Sequence, residues 1–268
     1  MKRNLRILIS FLLSALLLAG VSGCSAFEDA ESTEDNPLRV GLRADVAGLS
    51  IYNETTGMFY GLEAELADAL AERMGYSGVE YVGLSADERE EKLLSGDIDL
   101  LLAGYSIYEE REQIVDFTPP YFTCETYVAV EGTSLITEMQ DLAGMMIGAV
   151  TDGNDGELFQ LKMEELGLDK TADGESSYTL LYFDTYDQLM DALEVGEIDA
   201  VVMDIVYQVD YDNGERISVG GPLGEQVFGA ATIKDSDLSA PAAEAMQSLL
   251  DDGTIQQMID KWEFNWED

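Results

Sequence analysis

The sequence predicts a mixed α/β protein of two lobes, and an internal repeat is the main reason. The segment LLSGDIDLLLAG (93–104) returns one hundred residues later as LEVGEIDAVVMD (193–204). Each copy contains the end of a helix, a glycine that stops it and a buried strand. Each helix is preceded by a capping-box pattern, at 85–88 and at 185–188. Two such units indicate two α/β lobes, each with its own sheet.

The first 23 residues have the pattern of a secretory signal. Basic residues precede an apolar run at 7–18, and small residues precede Cys24. This ending resembles a bacterial lipobox, so we expect Cys24 to be lipidated and to anchor the chain to the outer face of a membrane. An uncleaved anchor is the alternative, although the run is short for a span of about 20 residues. Residues 24–36 are acidic and aperiodic, which is typical of a flexible tether.

Charge and composition exclude several classes of function. The full chain has 14 basic and 54 acidic residues, and the signal holds three of the basic ones, so the mature net charge is −43. This charge opposes binding to nucleic acid and favours cationic or zwitterionic solutes, although an acidic, soluble surface also explains it. The chain contains no histidine, which excludes serine–histidine triads and histidine metal sites. We expect Cys124 to be a buried, inert thiol.

We expect no metal or cofactor. The acidic run at 152–157 suggests a calcium loop, but Met163 stands where an EF-hand needs an acidic ligand. A turn-rich loop before a helix explains the run better.

Periodicity predicts the elements in chain order. Strands are predicted at 38–43, 79–84, 98–103, 145–150, 179–183 and 198–203. Helices are predicted at 61–75, 86–94, 139–143, 156–166, 186–193, 205–211 and, with a break at Asp252-Gly253, 240–262. Residues 44–56 are predicted to form a loop, and extended runs at 121–130 and 227–233 are suited to carry the chain between lobes. The predicted lobes are 37–124 with 230–268, and 125–229.

Two polar side chains near the ends of the repeated strands are candidates for ligand binding. Arg111 follows the first unit, and its guanidinium suits a carboxylate in a cleft. A salt bridge with a neighbouring glutamate on a solvated helix face explains it equally well. Asp204 closes the second unit, where it is suited to accept hydrogen bonds from an ammonium group or to cap the next helix. Open α/β sheets bind ligands at these strand ends, so we expect a small molecule between the two residues.

Several segments in order resemble the bacterial extracellular solute-binding proteins of the polar amino-acid class, which feed ABC transporters. The most specific is AGYSIYEEREQIVDFTPPYF (103–122). Three others are similar, GLEAELADALAERMGY, LEVGEIDAVVMD and LLDDGTIQQMIDKW. The resemblance covers about residues 37–264. It implies a periplasmic-binding-protein-like type II fold, in which two strands cross between the lobes near 121–125 and 228–232.

The resemblance also implies a role for each matching residue. Arg111, helped by Ser106, would hold the α-carboxylate of the ligand. The carbonyl of Gly104 and the side chain of Asp204 would take the α-ammonium. The second lobe would add backbone donors from three consecutive residues, Thr151, Asp152 and Gly153.

The chain departs from the family pattern around the side chain of the ligand. Residues 152–153 are Asp-Gly where Gly-Thr is usual, and Ser106 stands where threonine is usual. Val46 and Ala86 align with positions that often carry aromatics, and Tyr52 is a candidate replacement or plain packing. Arg43 lies near a position that is often acidic in binders of basic or amide side chains. The ligand's side chain is therefore not defined.

These features predict a monomeric, lipid-anchored binding protein outside the cytoplasm. It would trap an amino acid or similar zwitterion between closing lobes and deliver it to an ABC transporter permease. We expect no catalysis. The alternatives are a dehydratase acting on a cyclic carboxylic acid, which the lack of histidine weakens, and a module that senses the ligand rather than transporting it.

Overall fold

A computed structural model describes residues 36–46, 48–151, 153–207 and 215–262. The predicted signal, Cys24 and nearly all of the predicted tether lie outside these ranges, as does Asp152. Within these ranges no helix combines the length and the apolar character that crossing a membrane requires.

The described strands and helices alternate along most of the chain. The strands are β1 (Leu38–Arg43), β2 (Asp45–Val46), β3 (Ser50–Asn53), β4 (Met58–Tyr60), β5 (Val79–Leu84), β6 (Leu100–Leu101), β7 (Val115–Phe117), β8 (Phe122–Val130), β9 (Met146–Val150), β10 (Thr179–Phe183), β11 (Ala200–Asp204), β12 (Ile217–Phe228) and β13 (Ala231–Ile233). The helices are α1 (Leu62–Met74), α2 (Arg89–Leu94), α3 (Glu109–Glu112), α4 (Asp155–Glu165), α5 (Tyr186–Glu194), α6 (Ser239–Asp251) and α7 (Thr254–Lys261), with a 3₁₀ turn at Met139–Leu142.

Two five-stranded sheets share one plan, which confirms the predicted two-lobed fold. The first lobe has the order β5–β1–β6–β13–β7 and the second the order β10–β9–β11–β8–β12. In each sheet the first three strands in this order pair in parallel. The fourth strand pairs antiparallel with both of its neighbours, the third and the fifth. The repeated sequence units supply α2 with β6 in one lobe and α5 with β11 in the other. The duplication visible in the sequence is therefore a duplication of structure.

Two paired segments carry the chain between the lobes. β8 and β12 are antiparallel from Phe122, opposite Phe228, to Val130, opposite Ile217. Beside this ladder the Tyr121 N–H donates to the Phe228 carbonyl at 3.0 Å, and the Thr118 N–H donates to the Ala230 carbonyl at 2.9 Å. The two predicted crossings are thus hydrogen-bonded to each other. The lobe boundaries at 124/125 and 229/230 stay predictions.

The prediction of a loop at 44–56 is wrong, because this region helps to form a third sheet. β2, β3 and β4 pair antiparallel, with Asp45 opposite Ile51 and Tyr52 opposite Phe59. The strands have two to four residues, and β3 is exposed along three of its four positions. Such short strands carry no alternating pattern, so only their pairing reveals them.

Helix α1 packs one apolar face into the core of the first lobe. Leu62, Leu66 and Leu70 are fully buried, and burial of each such side chain contributes about 1.5–3 kcal/mol. The helix ends at Gly75, whose φ of 79° provides the left-handed cap that the sequence predicted. Glu63 lies on the same buried face. A carboxyl group there needs hydrogen-bond partners, and these partners shape the site.

The two predicted capping boxes differ in outcome. The Thr185 hydroxyl caps α5 by accepting from the Gln188 N–H at 3.2 Å. In the first lobe the Glu88 carboxylate accepts from the Ser85 N–H at 3.0 Å, but the α-helical part begins only after Glu88. Cys124 is buried, as predicted, and burial raises the pKa of its thiol.

Candidate ligand-binding site

A small cavity lies between the two lobes at the carboxyl ends of their parallel strands. Its volume is about 20 Å³, enough for about one water molecule and too small for an amino acid. One wall comes from the first lobe and consists of Arg43, Ala86, Arg89, Gly104 and Ser106. The other wall comes from the second lobe and consists of Val150, Gly153, Asp155, Tyr186, Asp204 and Tyr207. A ligand of amino-acid size therefore requires the lobes or the lining side chains to move.

A left-handed turn after β6 forms the floor of the first wall. Ala103 and Gly104 have φ values of 92° and 56°. Their N–H groups donate to the two carboxylate oxygens of Glu63, at 3.0 Å and 2.6 Å. The Tyr121 hydroxyl donates to the same carboxylate. A strained alanine and a glycine are thus held in place by one buried acid.

The environment of Glu63 changes its titration. Burial raises the pKa of Glu63 to about 7, although the hydrogen bonds from Tyr121 and Gly104 oppose the rise. The charges of Arg43 and Arg89 also oppose it. The group that holds the turn therefore titrates near neutral pH.

Arg89 brings a guanidinium to the first wall. It is the first residue of α2, and it is buried. Its Nε donates to the Ala86 carbonyl at 2.9 Å, and its Nη1 donates to the carbonyls of Ala103 at 2.9 Å and Gly104 at 3.2 Å. The Gly104 carbonyl, which the family resemblance assigns to the ligand's ammonium, already accepts from a cation. This is the main departure of the structure from the expected site.

Arg111 lies behind the cavity wall instead of forming part of it. Its Nη1 donates to the Ser106 carbonyl at 3.1 Å, and its Nε contacts Glu90 Oε1 at 3.3 Å. Its Cζ lies 3.9 Å and 4.5 Å from the ring centroids of Tyr105 and Tyr108. Arg111 is buried, so the alternative of an ion pair on a solvated helix face is wrong. In this closed arrangement Arg111 supports Ser106, which does line the cavity.

Arg43 joins the two lobes through an aromatic pair. It ends β1, is buried, and binds Asp45 with two hydrogen bonds of 2.7 Å. Its Cζ lies 5.8 Å and 5.9 Å from the ring centroids of Tyr186 and Tyr207 in the second lobe. These two rings stack with centroids 4.4 Å apart. The cation of one lobe thus lies over the aromatic wall of the other.

Two buried carboxyl groups form the acidic part of the second wall. Asp204 ends β11 and accepts from the Thr126 hydroxyl at 2.6 Å. Asp155 begins α4 and accepts from Gln226 Nε2 at 3.2 Å. Burial raises the pKa of Asp155 to about 6. Burial, and then the neighbouring charge of Asp155, raise the pKa of Asp204 well above its ordinary value. A cation between them would favour the ionised form of both.

The cavity brings together only part of the predicted site. Gly104, Ser106, Gly153 and Asp204 line it. Among the other predicted residues, Asp152 lies outside the described ranges, and Arg111, Val46, Tyr52 and Thr151 lie away from the lining in this arrangement.

Val46, Tyr52 and Thr151 make contacts elsewhere in the structure. Val46 is buried in the hydrophobic core. Tyr52 is 42% exposed on β3, with its ring centroid 5.1 Å from that of Phe59, which favours the packing alternative. The Thr151 hydroxyl donates to the Phe183 carbonyl at 3.0 Å. The expected binding roles of the Val46 and Tyr52 side chains are therefore not supported by their positions.

Sequence reasoning missed several residues that shape the cavity, namely Glu63, Arg89, Asp155, Tyr186 and Tyr207. One signal was available for Arg89. Beyond residue 24 the chain has only six arginines, all within the described ranges, and three of them, Arg43, Arg89 and Arg111, are buried around this cleft. The rarity of arginine in this chain is therefore the signal that marks position 89.

Comparison with known proteins decides the family. The profile of bacterial extracellular solute-binding proteins, family 3, matches residues 38–265. The chain belongs to this family. The sheet order and the site at the strand ends between two lobes agree with a solute-binding role.

Relatives of this solute-binding protein differ in the ligands for which they are named. The glutamate-binding protein GluB of Corynebacterium glutamicum is 25% identical over 274 residues, covering 94% of this chain and 88% of its own length. The glutamine-binding protein GlnH of Bacillus subtilis is 24% identical, with 98% and 97% covered. A solved ancestral arginine-binding protein, bound to arginine, has a TM-score of 0.70 and 28% identity, with 85% and 98% covered. Similarity alone therefore leaves the ligand of this solute-binding protein undefined.

Proposed function

We propose that this solute-binding protein captures an amino acid between its lobes and delivers it to the permease of an ABC transporter. The observation that carries the proposal is the composition of the cavity walls. The first lobe supplies guanidinium groups and the second supplies carboxyl groups. An α-amino acid presents a carboxylate and an ammonium, which are the complementary charges. The relatives named for amino acids and for an ABC transporter support the same function.

A ligand that touches both walls would stabilise the closed arrangement of the lobes. A hydrogen bond to a charged group contributes about 1.5–3 kcal/mol. A micromolar complex requires about 8 kcal/mol. Several such bonds with burial of the ligand reach this value after the costs of ordering. We assign the α-carboxylate to Ser106, which Arg111 supports from behind the wall, and the ammonium to Asp204 and Asp155.

We further propose that the protein is a monomer anchored outside the cytoplasm through a lipid on Cys24. The signal-like residues 1–23 and the acidic tether support this arrangement. Metabolic labelling with a fatty-acid probe should mark the wild type, and Cys24→Ala should abolish the label and release the protein from membranes. Labelling of Cys24→Ala equal to that of the wild type would contradict the anchor.

Calorimetry with each of the twenty amino acids tests the binding function, after unfolding and refolding the protein to remove carried ligand. At least one amino acid should bind with a dissociation constant in the micromolar range or below. Loss of uptake of that amino acid in cells lacking the protein would separate transport from sensing. Binding of no amino acid would contradict the proposal, and turnover of a bound compound would indicate an enzyme instead.

A further inference from the structure

We infer that Gln226 is a positioning residue of the proposed ammonium site, whose side-chain amide holds the carboxyl groups of Asp155 and Asp204 ready to receive a cation. This inference rests on the proposed function, which assigns the ammonium of the ligand to these two acids. It adds the residue that prepares them, and it comes from the hydrogen bonds that reach the second wall of the cavity.

The paired strands β8 and β12 supply donors to both acids. Gln226 on β12 lies opposite Cys124, two residue pairs along the ladder from Thr126 on β8. Gln226 and Thr126 are both buried. The Thr126 hydroxyl donates to Asp204 at 2.6 Å, and Gln226 Nε2 donates to Asp155 Oδ1 at 3.2 Å. The ladder that joins the two crossing segments therefore also holds the acidic wall.

The amide of Gln226 contacts more than one element of this wall. Its Nε2 also donates to the side-chain oxygen of Asn154, next to Asp155, at 2.5 Å. Burial raises the pKa of Asp204 well above its ordinary value, and a hydrogen bond with Gln226 opposes this rise. A buried amide needs such partners, because an unpaired N–H away from water is costly. One amide thus serves the start of α4 and the end of β11.

No cation of the protein is hydrogen-bonded to either acid within the described ranges. Besides Gln226 and Thr126, the Tyr186 hydroxyl donates to Asp155 Oδ2 at 3.5 Å. These donors are all neutral. The negative charge of the ionised pair is therefore not matched by an ion pair inside this part of the protein, and an ammonium is the group that would match it.

The donor matters because the two acids are buried beside each other. Burial raises the pKa of Asp155 to about 6, and the hydrogen bond from Gln226 is the largest of the effects that oppose the rise. An N–H donor favours the ionised form of a carboxyl group, which is the form that attracts an ammonium. Gln226 therefore extends the range of pH in which the pair is ionised.

The other groups that act on the pair do not titrate with it. They are Arg89 on α2, Arg111 on α3, Cys124 on β8, Tyr186 on α5 and Tyr207 after β11. The arginines stay charged, and burial raises the pKa of the thiol and of the two hydroxyls, so none of them changes its charge between pH 5 and pH 8. Glu63 titrates in this range, but it bonds to the turn at 103–104 and contributes equally to the wild type and to a variant at position 226.

Urea unfolding between pH 5 and pH 8 tests the inference on Gln226→Met without any ligand. Methionine has about the size of glutamine but cannot donate, so the pKa of the pair should rise further in the folded variant. A pKa that is raised in the folded state makes stability fall as pH rises. The urea midpoint of the variant should lie below that of the wild type by a gap that widens from pH 5 to pH 8. A gap of the same size at every pH would indicate packing alone and overturn the inference.

Gln247→Met is the matched control. Gln247 Nε2 also donates to an aspartate, Asp251, at 2.8 Å, but on the exposed face of α6. The difference between its urea midpoint and that of the wild type should not depend on pH. A gap that widens as much as that of Gln226→Met would show that the effect is not specific to the acidic wall, and would overturn the inference.

Calorimetry with the amino acid that the wild type binds gives a second readout. At pH 5.5 Gln226→Met should bind about tenfold more weakly than the wild type, a factor that corresponds to a difference of one pKa unit. The loss should shrink at pH 8.5, where the pair is more fully ionised in both proteins. An equal loss at both pH values would overturn the inference and leave the proposed function standing. Binding of no amino acid would overturn the proposed function, and the urea profiles would still decide how Gln226 acts on the two acids.

A second variant covers the case in which Gln226→Met fails to fold. Gln226→Asn keeps the amide but is one methylene shorter, which withdraws the donor from Asp155. It adds no titratable group, so its urea midpoint should show the same widening gap to the wild type as pH rises. A gap that does not change with pH in this variant would overturn the inference as well.

Discussion

The hydroxyl of Tyr207 lies directly over Gly104, although the two residues belong to opposite lobes. A Cβ atom added to residue 104 would overlap the hydroxyl oxygen. Gly104 also has a positive φ of 56°. The close approach of the lobes at this point therefore depends on the absence of a side chain.

We predict that Gly104→Ala prevents full closure. Ligand affinity should fall at least about tenfold, and the decrease in radius of gyration on ligand addition should be lost in small-angle scattering. Gly196→Ala is the control, because Gly196 has a φ of 73° and no heavy atom within 4 Å of the added Cβ. Gly196→Ala should lose about 1–2 kcal/mol of stability from the left-handed backbone, as Gly104→Ala does, but its lobes should close normally. Equal ligand responses in both variants would contradict the prediction.

We predict that Glu63→Gln changes how stability depends on pH. The pKa of Glu63 is raised to about 7 in the folded protein by burial. The folded state then holds a proton that the unfolded state releases, so stability of the wild type falls as pH rises from about 4.5 to about 7. The variant lacks this titration. Relative to the variant, the wild type should lose about 3 kcal/mol between pH 4 and pH 8.

Urea unfolding at several pH values measures this difference. The comparison between the two proteins cancels the titration of the many surface carboxylates. Parallel pH profiles of the wild type and Glu63→Gln would show that folding leaves the pKa of Glu63 unchanged. The proposed titration of the acid that holds the turn would then be wrong.

We predict that ligand binding releases protons near pH 6. The pKa values of Asp155 and Asp204 are raised mainly by burial, so at least one proton resides on the pair at acidic pH. A ligand ammonium favours the ionised forms, and affinity should therefore increase between pH 5 and pH 7.5. Calorimetry in two buffers of different ionisation enthalpy measures the release. Asp155→Asn should diminish it, and equal heats in both buffers with wild-type protein would contradict the assignment.

We predict that Arg111→Ala abolishes detectable binding and leaves the fold intact. The variant removes the donor to the Ser106 carbonyl and the cation stacked on the Tyr105 ring. Loss of a hydrogen bond to a charged group costs about 1.5–3 kcal/mol, so the melting temperature should decrease by several degrees. Circular dichroism and calorimetry give the two readouts. Retained affinity would show that Arg111 is only structural.

Much of the fold followed from local patterns. The glycine at Gly75, the apolar face of α1 and the repeated helix–strand unit each depend on neighbouring residues, and each was found where predicted. Strand β6 is shorter than predicted, because Ala103 and Gly104 turn left-handed to meet Glu63. That contact joins residues forty positions apart, which no local period can reveal.

The site was predictable only where a family motif marked it. Gly104, Ser106 and Asp204 lie in recognisable segments and do line the cavity. Arg89 lies in a helix whose sequence carries no binding motif. Tyr52 lies in a sheet that the sequence did not predict. The acidic composition favours cationic or zwitterionic solutes, and the guanidiniums of one wall with the carboxyl groups of the other are compatible with a zwitterion.

By itself the sequence determined the two-lobed plan, the family and the edge of the sheets at which the cavity lies. These properties depend on hydrophobic periodicity and on the glycines that end helices. Both can be recognised within a short stretch of sequence. Only the tertiary structure decided which arginines face the cavity, Arg43 and Arg89, and which acids oppose them, Asp155 and Asp204. The physical reason is that a cleft collects side chains from distant elements, and their distances are set by packing of the lobes.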